Sequence, residues 1–400
     1  MAAPLAGRGR VAGRRLAATP FREFVLKVHQ RCNLACDYCY VYEHADQSWR
    51  DRASVMPGHV VEAAARRIGE HAAAHGLDRV RLVLHGGEPL LAGRARLRSM
   101  VRTLRAALPA GCAASIGLQT NGTLLDQPTA DGLRADAVSV GVSLDGPPGA
   151  NDRHRRYADG RGSSGEAHRA LSLLSRSENR EVYAGLLCTV DPESDPIACY
   201  QALLAYHPPA VDFLLPHANW DNPPSRRGPG GTPYAHWLIS VFDRWYDARP
   251  QPTRIRLFES LIDLTIGGQG RSEQVGLSPA ALAVIETDGA VEQVDALKSA
   301  YDGAGDTGVN VLADPLDAAL DHPGVVARQI GVRALADGCR ACPVHTTCGG
   351  GHYAHRYRHG DGFRNPSVYC ADLLRLIRHV EGRVAADLAR LAVGPPAPRR

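Results

Sequence analysis

Short apolar runs alternate with longer segments of helical spacing along the first half of the chain. Residues 24–29 (FVLKVH) predict a strand, and residues 57–75 repeat apolar positions every three to four residues, as a helix does. Residues 80–84 predict a buried strand that ends in His85-Gly-Gly-Glu-Pro89. Further strands are predicted over 114–119, 137–144, 181–190 and 211–215, with helices over 94–108 and 166–177. Six strand–helix units in succession predict an α/β fold, a parallel sheet with crossovers that forms a partial (β/α)6 TIM-like barrel. Chemistry in such folds gathers at the C-terminal ends of strands. Cys32, Gly86, Gly87, Glu88, Asn121, Ser143 and Asp145 all fall there.

After residue 219 the pattern changes. Residues 222–233 (NPPSRRGPGGTP) read as a loop, 234–247 as an aromatic-rich helix, and 267–271 as a flexible stretch. Asp288-Gly289 predicts a hairpin turn between short strands, and 365–392 a closing helix. The expected organisation is a flexible Arg-rich tail over 1–20, the barrel over 21–220, a linker with bridging helices over 221–285, a cysteine-rich extension over 286–392 and a flexible end over 393–400.

Composition narrows the class. The 400 residues are 44% hydrophobic and 22% charged, enough for a sizeable core. No apolar run approaches the roughly 18–20 residues of a membrane helix, so no membrane span is expected. Net charge is +4, with 46 basic residues scattered among 42 acids, which argues against a clustered nucleic-acid surface. Only Lys27 and Lys298 among the bases are lysines, a bias that fits GC-rich coding. The first 18 residues carry four arginines and lack the apolar segment of a secretory signal, so a reducing, cytoplasmic setting is expected.

In that setting clustered cysteines point to metal or redox chemistry before disulfides. Cys32, Cys36 and Cys39 form C-x3-C-x2-C. Three thiolates can hold three irons of a [4Fe–4S] cube and leave the fourth open. Zinc with His29 or His44 as a further ligand is the alternative. Cys339 and Cys342 form C-x2-C, with Cys348 after five residues and Cys370 after twenty-one more. Four thiolates can close a second [4Fe–4S] site or a structural zinc ribbon. Cys112, Cys188 and Cys199 are expected to be buried apolar residues.

C-x3-C-x-aromatic-C, with Tyr38 in the aromatic slot, resembles the signature of the radical SAM enzymes. The resemblance, over about residues 21–220, implies S-adenosylmethionine (SAM) as cofactor. It implies Gly86, Gly87 and Glu88 near the methionine amino group, Ser143 near the ribose, and Asn121 within reach of that region. Arg155 would lie near the methionine carboxylate, with Arg156 as its rival. The C-terminal segment resembles a SPASM extension reduced to one auxiliary [4Fe–4S] cluster. Val294 and His352 stand where that pattern has cysteines. His352 reads as a loop histidine, a vestigial ligand or a substrate contact. Asp295 matches a carboxylate that accepts a proton at the substrate, with Glu292 and Asp302 as rivals. The strings 36–49, 291–303 and 349–373 resemble the FxsB-type cyclophane-forming maturases. That likeness implies a precursor peptide joined from an aromatic ring carbon to a Cβ two residues along. It also implies an electron donor such as flavodoxin or ferredoxin. Other radical SAM maturases, including formylglycine-type oxidation, and a non-catalytic Fe–S or zinc scaffold are the alternatives.

Overall fold

The computed structural model describes residues 18–225, 231–270 and 272–393. The expected tails, apart from residues 18–20 and 393, and the centre of the 222–233 loop lie outside the described residues. Six strands run parallel and in sequence order: β1 (Glu23–His29), β2 (Arg79–Gly86), β3 (Ala113–Thr120), β4 (Val138–Ser143), β5 (Tyr183–Thr189) and β6 (Ala210–Leu214). Helices α1 (Gly58–Ala74), α2 (Arg94–Ala106), α3 (Gln127–Ala135), α4 (Pro148–His154), α5 (Ser164–Leu174) and α6 (Pro196–Leu204) lie in the crossovers. This is the parallel α/β partial barrel anticipated from the pattern, with a helical C-terminal extension.

The sheet does not stop at six strands. Helices α7 (Pro233–Asp247) and α8 (Arg256–Thr265) flank the two-residue strand β7 (Arg254–Ile255), which adds to β6. At the other edge β8 (Leu282–Ile285) pairs parallel with β1, and β9 (Ala290–Glu292) and β10 (Asp306–Asn310) continue antiparallel. The predicted hairpin turn joins β8 to β9: Gly289 has φ 86°, and Asp288 Oδ1 accepts the Ala290 N–H at 3.1 Å. The extension therefore grows from the barrel's own first strand.

Sequence alternation explains which face holds what. Along β2, Val80, Leu82 and Leu84 are buried in the apolar core, which also takes up Val61, Ile68 and Leu97 of α1 and α2. The alternate positions Arg79, Arg81 and His85 line an inner cavity. Helices α3 and α6 were not anticipated, yet each carries a start signal. Asp126 and Asp195 accept N–H groups of Thr129 and Ala198 at 2.9 and 2.7 Å, each with proline in the first turn. The closing helix begins at Cys370 and runs to Val393, five residues later than expected at its start. Pro366 disfavours helix at Asn365, and Ser367 Oγ accepts the Tyr369 N–H at 3.1 Å.

Phe258 of α8 sits among Phe213, Phe242 and Trp245, ring centroids 5.2–6.1 Å away. Phe258→Ala is expected to cost about 3–5 kcal/mol in urea unfolding. Leu391→Ala, at a position 78% exposed, should change stability by under about 0.5 kcal/mol.

Candidate active site

The loop after β1 folds back over the strand ends. Cys39 N–H donates to Cys36 O at 3.0 Å, a tight turn that keeps the last two cysteines near each other. Cys32, Cys36 and Cys39 line one cavity of about 160 Å³ with Tyr38, Gly86, Gly87, Asn121, Ser143 and Arg155. Burial pushes the Cys32 thiol up to about 12 and the Cys36 thiol up to about 11. Such thiols are neutral alone and become thiolates when a metal supplies the compensating charge. Three soft donors in one cavity suit an iron–sulfur cluster with one open iron.

Arg155, not Arg156, enters this cavity. Its Nη1 donates to the Tyr38 hydroxyl at 2.9 Å, and that hydroxyl donates to Asp145. Arg156 instead lies half-exposed near Asp37. Asn121 Nδ2 donates to Asn33 Oδ1 at 2.9 Å and points to Cys32 Sγ at 3.7 Å. Ser143 Oγ accepts from Gln119 Nε2 at 3.0 Å. Tyr38 is thus held by a hydrogen-bond chain as well as by ring packing, with His154 5.6 Å away.

Glu88 is placed differently from the others. It is fully buried behind the cavity and accepts from Leu90 N, Thr120 Oγ1 and Asn121 N at 2.7–2.9 Å. A carboxylate has about four acceptor positions, so one on Oε2 remains for an ammonium. The two glycines before it admit backbone: a Cβ on Gly86 would strike the His29 carbonyl, and one on Gly87 the Arg31 carbonyl and the Tyr42 hydroxyl. Their smallness seats β2 against the cysteine loop, where Gly87 N–H donates to His29 O at 2.9 Å.

Asp295 lines a second cavity of about 980 Å³. Tyr40, His85, Leu214, Leu215 and His217 line both cavities, so the two share a wall. Asp295 Oδ2 accepts from Lys27 Nζ at 2.8 Å, while buried Oδ1 has no hydrogen-bond partner among the described residues. Although burial works against the charge, Lys27 and Lys298 hold the Asp295 carboxyl below its usual range. His85 is pushed down to about 4, by burial and then by Lys27, and so stays neutral.

Behind Asp295 the charges continue. Lys298 Nζ contacts Glu286 and Glu292 at 3.1 and 2.7 Å, and Arg52 contacts the same two at 2.9 and 2.8 Å. Glu292, an anticipated rival of Asp295, is raised to about 7 by burial and the neighbouring Glu286. Asp302 is exposed. Neither rival lines the two cavities described.

The second cysteine set is organised by glycine. Gly349, Gly350 and Gly351 have φ of 61°, 79° and 71°, a left-handed run that side chains disfavour. Arg356 Nη2 donates to the carbonyls of Gly349 and Gly351 at 2.5 and 2.6 Å, fixing the loop beside Cys348. Burial pushes the Cys348 thiol up to about 11, with Cys370 and Cys339 adding to the shift. Cys339 is raised by burial and then by Cys370. Cys342 acts electrostatically on both Cys339 and Cys370, so the four lie in one neighbourhood. Cys188 and Cys199 are buried as expected, but Cys112 is only partly covered, because it precedes edge residue Ala113 at the open end of β3.

Sequence reasoning did not single out Lys27, His85, Glu286 or Lys298 as site residues. Lys27 and Lys298 carried a usable signal, as the two lysines in a chain otherwise served by arginine. Lys27→Met would leave Asp295 charged and buried; breaking such a pair costs about 3–5 kcal/mol. The double variant Lys27→Met/Asp295→Asn should recover most of that loss in urea unfolding. A double variant no more stable than Lys27→Met would assign Lys27 a packing role instead.

Known proteins share this architecture. The model of the Radical SAM superfamily matches residues 26–192. A serine-type anaerobic sulfatase-maturating enzyme of Klebsiella aerogenes is 27% identical over 348 residues, covering 84% of this chain and 80% of that one. A cysteine-type anaerobic sulfatase-maturating enzyme of Clostridium perfringens is 26% identical over 272 residues, covering 66% and 71%. The solved structure of native anSMEcpe with bound AdoMet and Cp18Cys peptide superposes with a TM-score of 0.78 at 21% identity, covering 92% of this chain and 99% of that chain. Among the described residues no helix is long and apolar enough to cross a membrane. The Radical SAM superfamily model thus spans β1 to β5 with the cysteine loop, and the chain shares its fold with the sulfatase-maturating enzymes over most of its length; Cys32, Cys36 and Cys39 are placed to hold a [4Fe–4S] cluster beside SAM.

Proposed function

We propose that this enzyme is a peptide maturase that forms a carbon–carbon crosslink, aromatic ring carbon to Cβ, in a ribosomally made precursor peptide. The observation that carries the reading is Asp295, a buried carboxylate with one free oxygen, which lines the peptide-sized cavity 3.7 Å from His85, a residue bordering both cavities. Cys32, Cys36 and Cys39 would hold the open cluster, and Tyr38, Gly86, Gly87, Glu88, Asn121, Ser143 and Arg155 would form the SAM site. When bound, these groups supply a 5′-deoxyadenosyl radical able to abstract hydrogen from an unactivated Cβ. Asp295 Oδ1 then takes the proton released as the ring regains aromaticity, while Lys27 keeps Oδ2 fixed. A low-pKa carboxylate suffices, because an oxidised ring is a strong acid. Cys339, Cys342, Cys348 and Cys370 would hold a closed auxiliary cluster, the candidate acceptor for the remaining electron. Flavodoxin or ferredoxin would supply reducing electrons in the cytoplasm.

A second reading is oxidation of a serine or cysteine side chain to formylglycine, the type of activity its sulfatase-maturating relatives favour. Asp295 would serve there too, by deprotonating the hydroxyl or thiol. Against it stand Val294 and His352 at two positions where the resemblance expects cluster cysteines. The product decides: a crosslinked peptide gives no aldehyde for hydrazide to trap and resists fragmentation inside its ring, whereas formylglycine traps.

Anaerobic protein with both sites filled should carry about eight irons per chain; about four would leave the C-terminal set as zinc or empty. Cys32→Ala should abolish SAM cleavage, and Cys348→Ala should spare uncoupled cleavage while blocking product. Asp295→Asn should keep iron and 5′-deoxyadenosine formation but slow product formation by roughly 10²–10⁴-fold. Near wild-type product formation in Asp295→Asn would remove it as the base.

A further inference from the structure

Three histidines that this chemistry does not use stand together at the larger cavity. His217 follows β6, and His352 and His355 follow the triglycine loop. One ring nitrogen from each lies within 4.8 Å of the others. Ring centroids are 5.0–5.6 Å apart at tilts of 44–56°. All three line the cavity that holds Asp295.

Histidines packed only as rings would turn their nitrogens to hydrogen-bond partners. Here they do not. His355 is 2% exposed, and neither of its nitrogens has a partner among the described residues; His217 Nδ1 has none either. His352 Nδ1 accepts the Ala354 N–H at 3.3 Å, which leaves Nε2 free of a close partner, with Glu273 Oε2 3.9 Å away. Orphaned buried nitrogens on His217 and His355, two of three converging rings, are a cost without an occupant. Burial disfavours the charged imidazolium at each ring, leaving the neutral form that can ligate.

We propose that His217, His352 and His355 form a three-imidazole site for a divalent transition metal of the zinc type, with its remaining position open to the cavity. Three imidazoles are a sufficient protein ligand set for zinc, and the open fourth position takes a water or an oxygen donor. Glu273 is placed to pair with His352 or to complete the site. Its position in the peptide-sized cavity makes a carbonyl or carboxylate of a bound peptide the natural exogenous ligand. The site stands on these residues alone, whether or not the crosslinking reading holds.

The test uses full-length protein with its iron–sulfur sites filled, equilibrated anaerobically with zinc chloride and then desalted. It should retain about one zinc per chain, and zinc-edge X-ray absorption should find nitrogen or oxygen neighbours at about 2.0–2.1 Å without sulfur at about 2.3 Å. His355→Gln and His217→Gln should each weaken zinc retention by at least about ten-fold with iron unchanged. No retained zinc, sulfur neighbours, or retention unchanged in an iron-replete His355→Gln would each overturn the site. The absorption measurement on the wild-type protein decides even if a variant fails to fold.

Discussion

The parallel pairing of β8 with β1 is the constraint on which the site depends. Its register, from Glu23 opposite Leu282 to Leu26 opposite Ile285, sets the next residues of both strands side by side. Lys27 then meets Glu286, and the hairpin that follows returns Asp295 to Lys27. Three acids (Glu286, Glu292, Asp295) and three bases (Lys27, Lys298, Arg52) share this buried space. Such a set persists only when each charge has an opposite neighbour. Both lysines of the chain are in it. A compact ammonium at 27 reaches Asp295 at 2.8 Å and the Gly86 carbonyl at 3.4 Å from inside a strand, where a planar guanidinium would need more room. The extension is thereby locked to the barrel by charge as well as by hydrogen bonds.

This arrangement gives the two cavities one wall. Cysteine thiols and Arg155 face one side; Asp295 and the histidines face the other; Tyr40, His85 and His217 border both. In the proposed reading a reactive species formed on the first side needs to travel no further than that wall. A carboxylate beside it, held ionised by Lys27, is ready for whichever proton the substrate loses. Crosslinking and side-chain oxidation both fit that geometry, because both begin at a Cβ and both end by shedding a proton.

Much of this was legible in the sequence. The six parallel strands followed from apolar runs of strand length, and the cysteine spacing located both sulfur sets. Arg155 against Arg156 was not settled by the string Asn151-Asp-Arg-His-Arg155, because it depends on the turn after α4, which points one arginine inward and leaves the other beside Asp37. Glu88 was read as an acceptor for an ammonium; that Thr120 and Asn121 also donate to it, leaving one acceptor position on Oε2, is a contact set no local pattern encodes. The histidine triad was equally hidden: His217 lies more than 130 residues before its partners, and only the sheet joins them. The β8–β1 pairing could not be read either, since an apolar four-residue strand carries no mark of its partner.

The central claim is that the cavity beside Asp295 presents a peptide Cβ to a SAM-derived radical. The direct measurement is deuterium transfer: a precursor peptide sought among small open reading frames near this protein's gene, made with deuterated side-chain Cβ positions, is incubated anaerobically with the reduced enzyme and SAM. Mass spectrometry of the 5′-deoxyadenosine should find deuterium from the peptide, in step with product formed. Product accompanied by unlabelled 5′-deoxyadenosine would contradict the account.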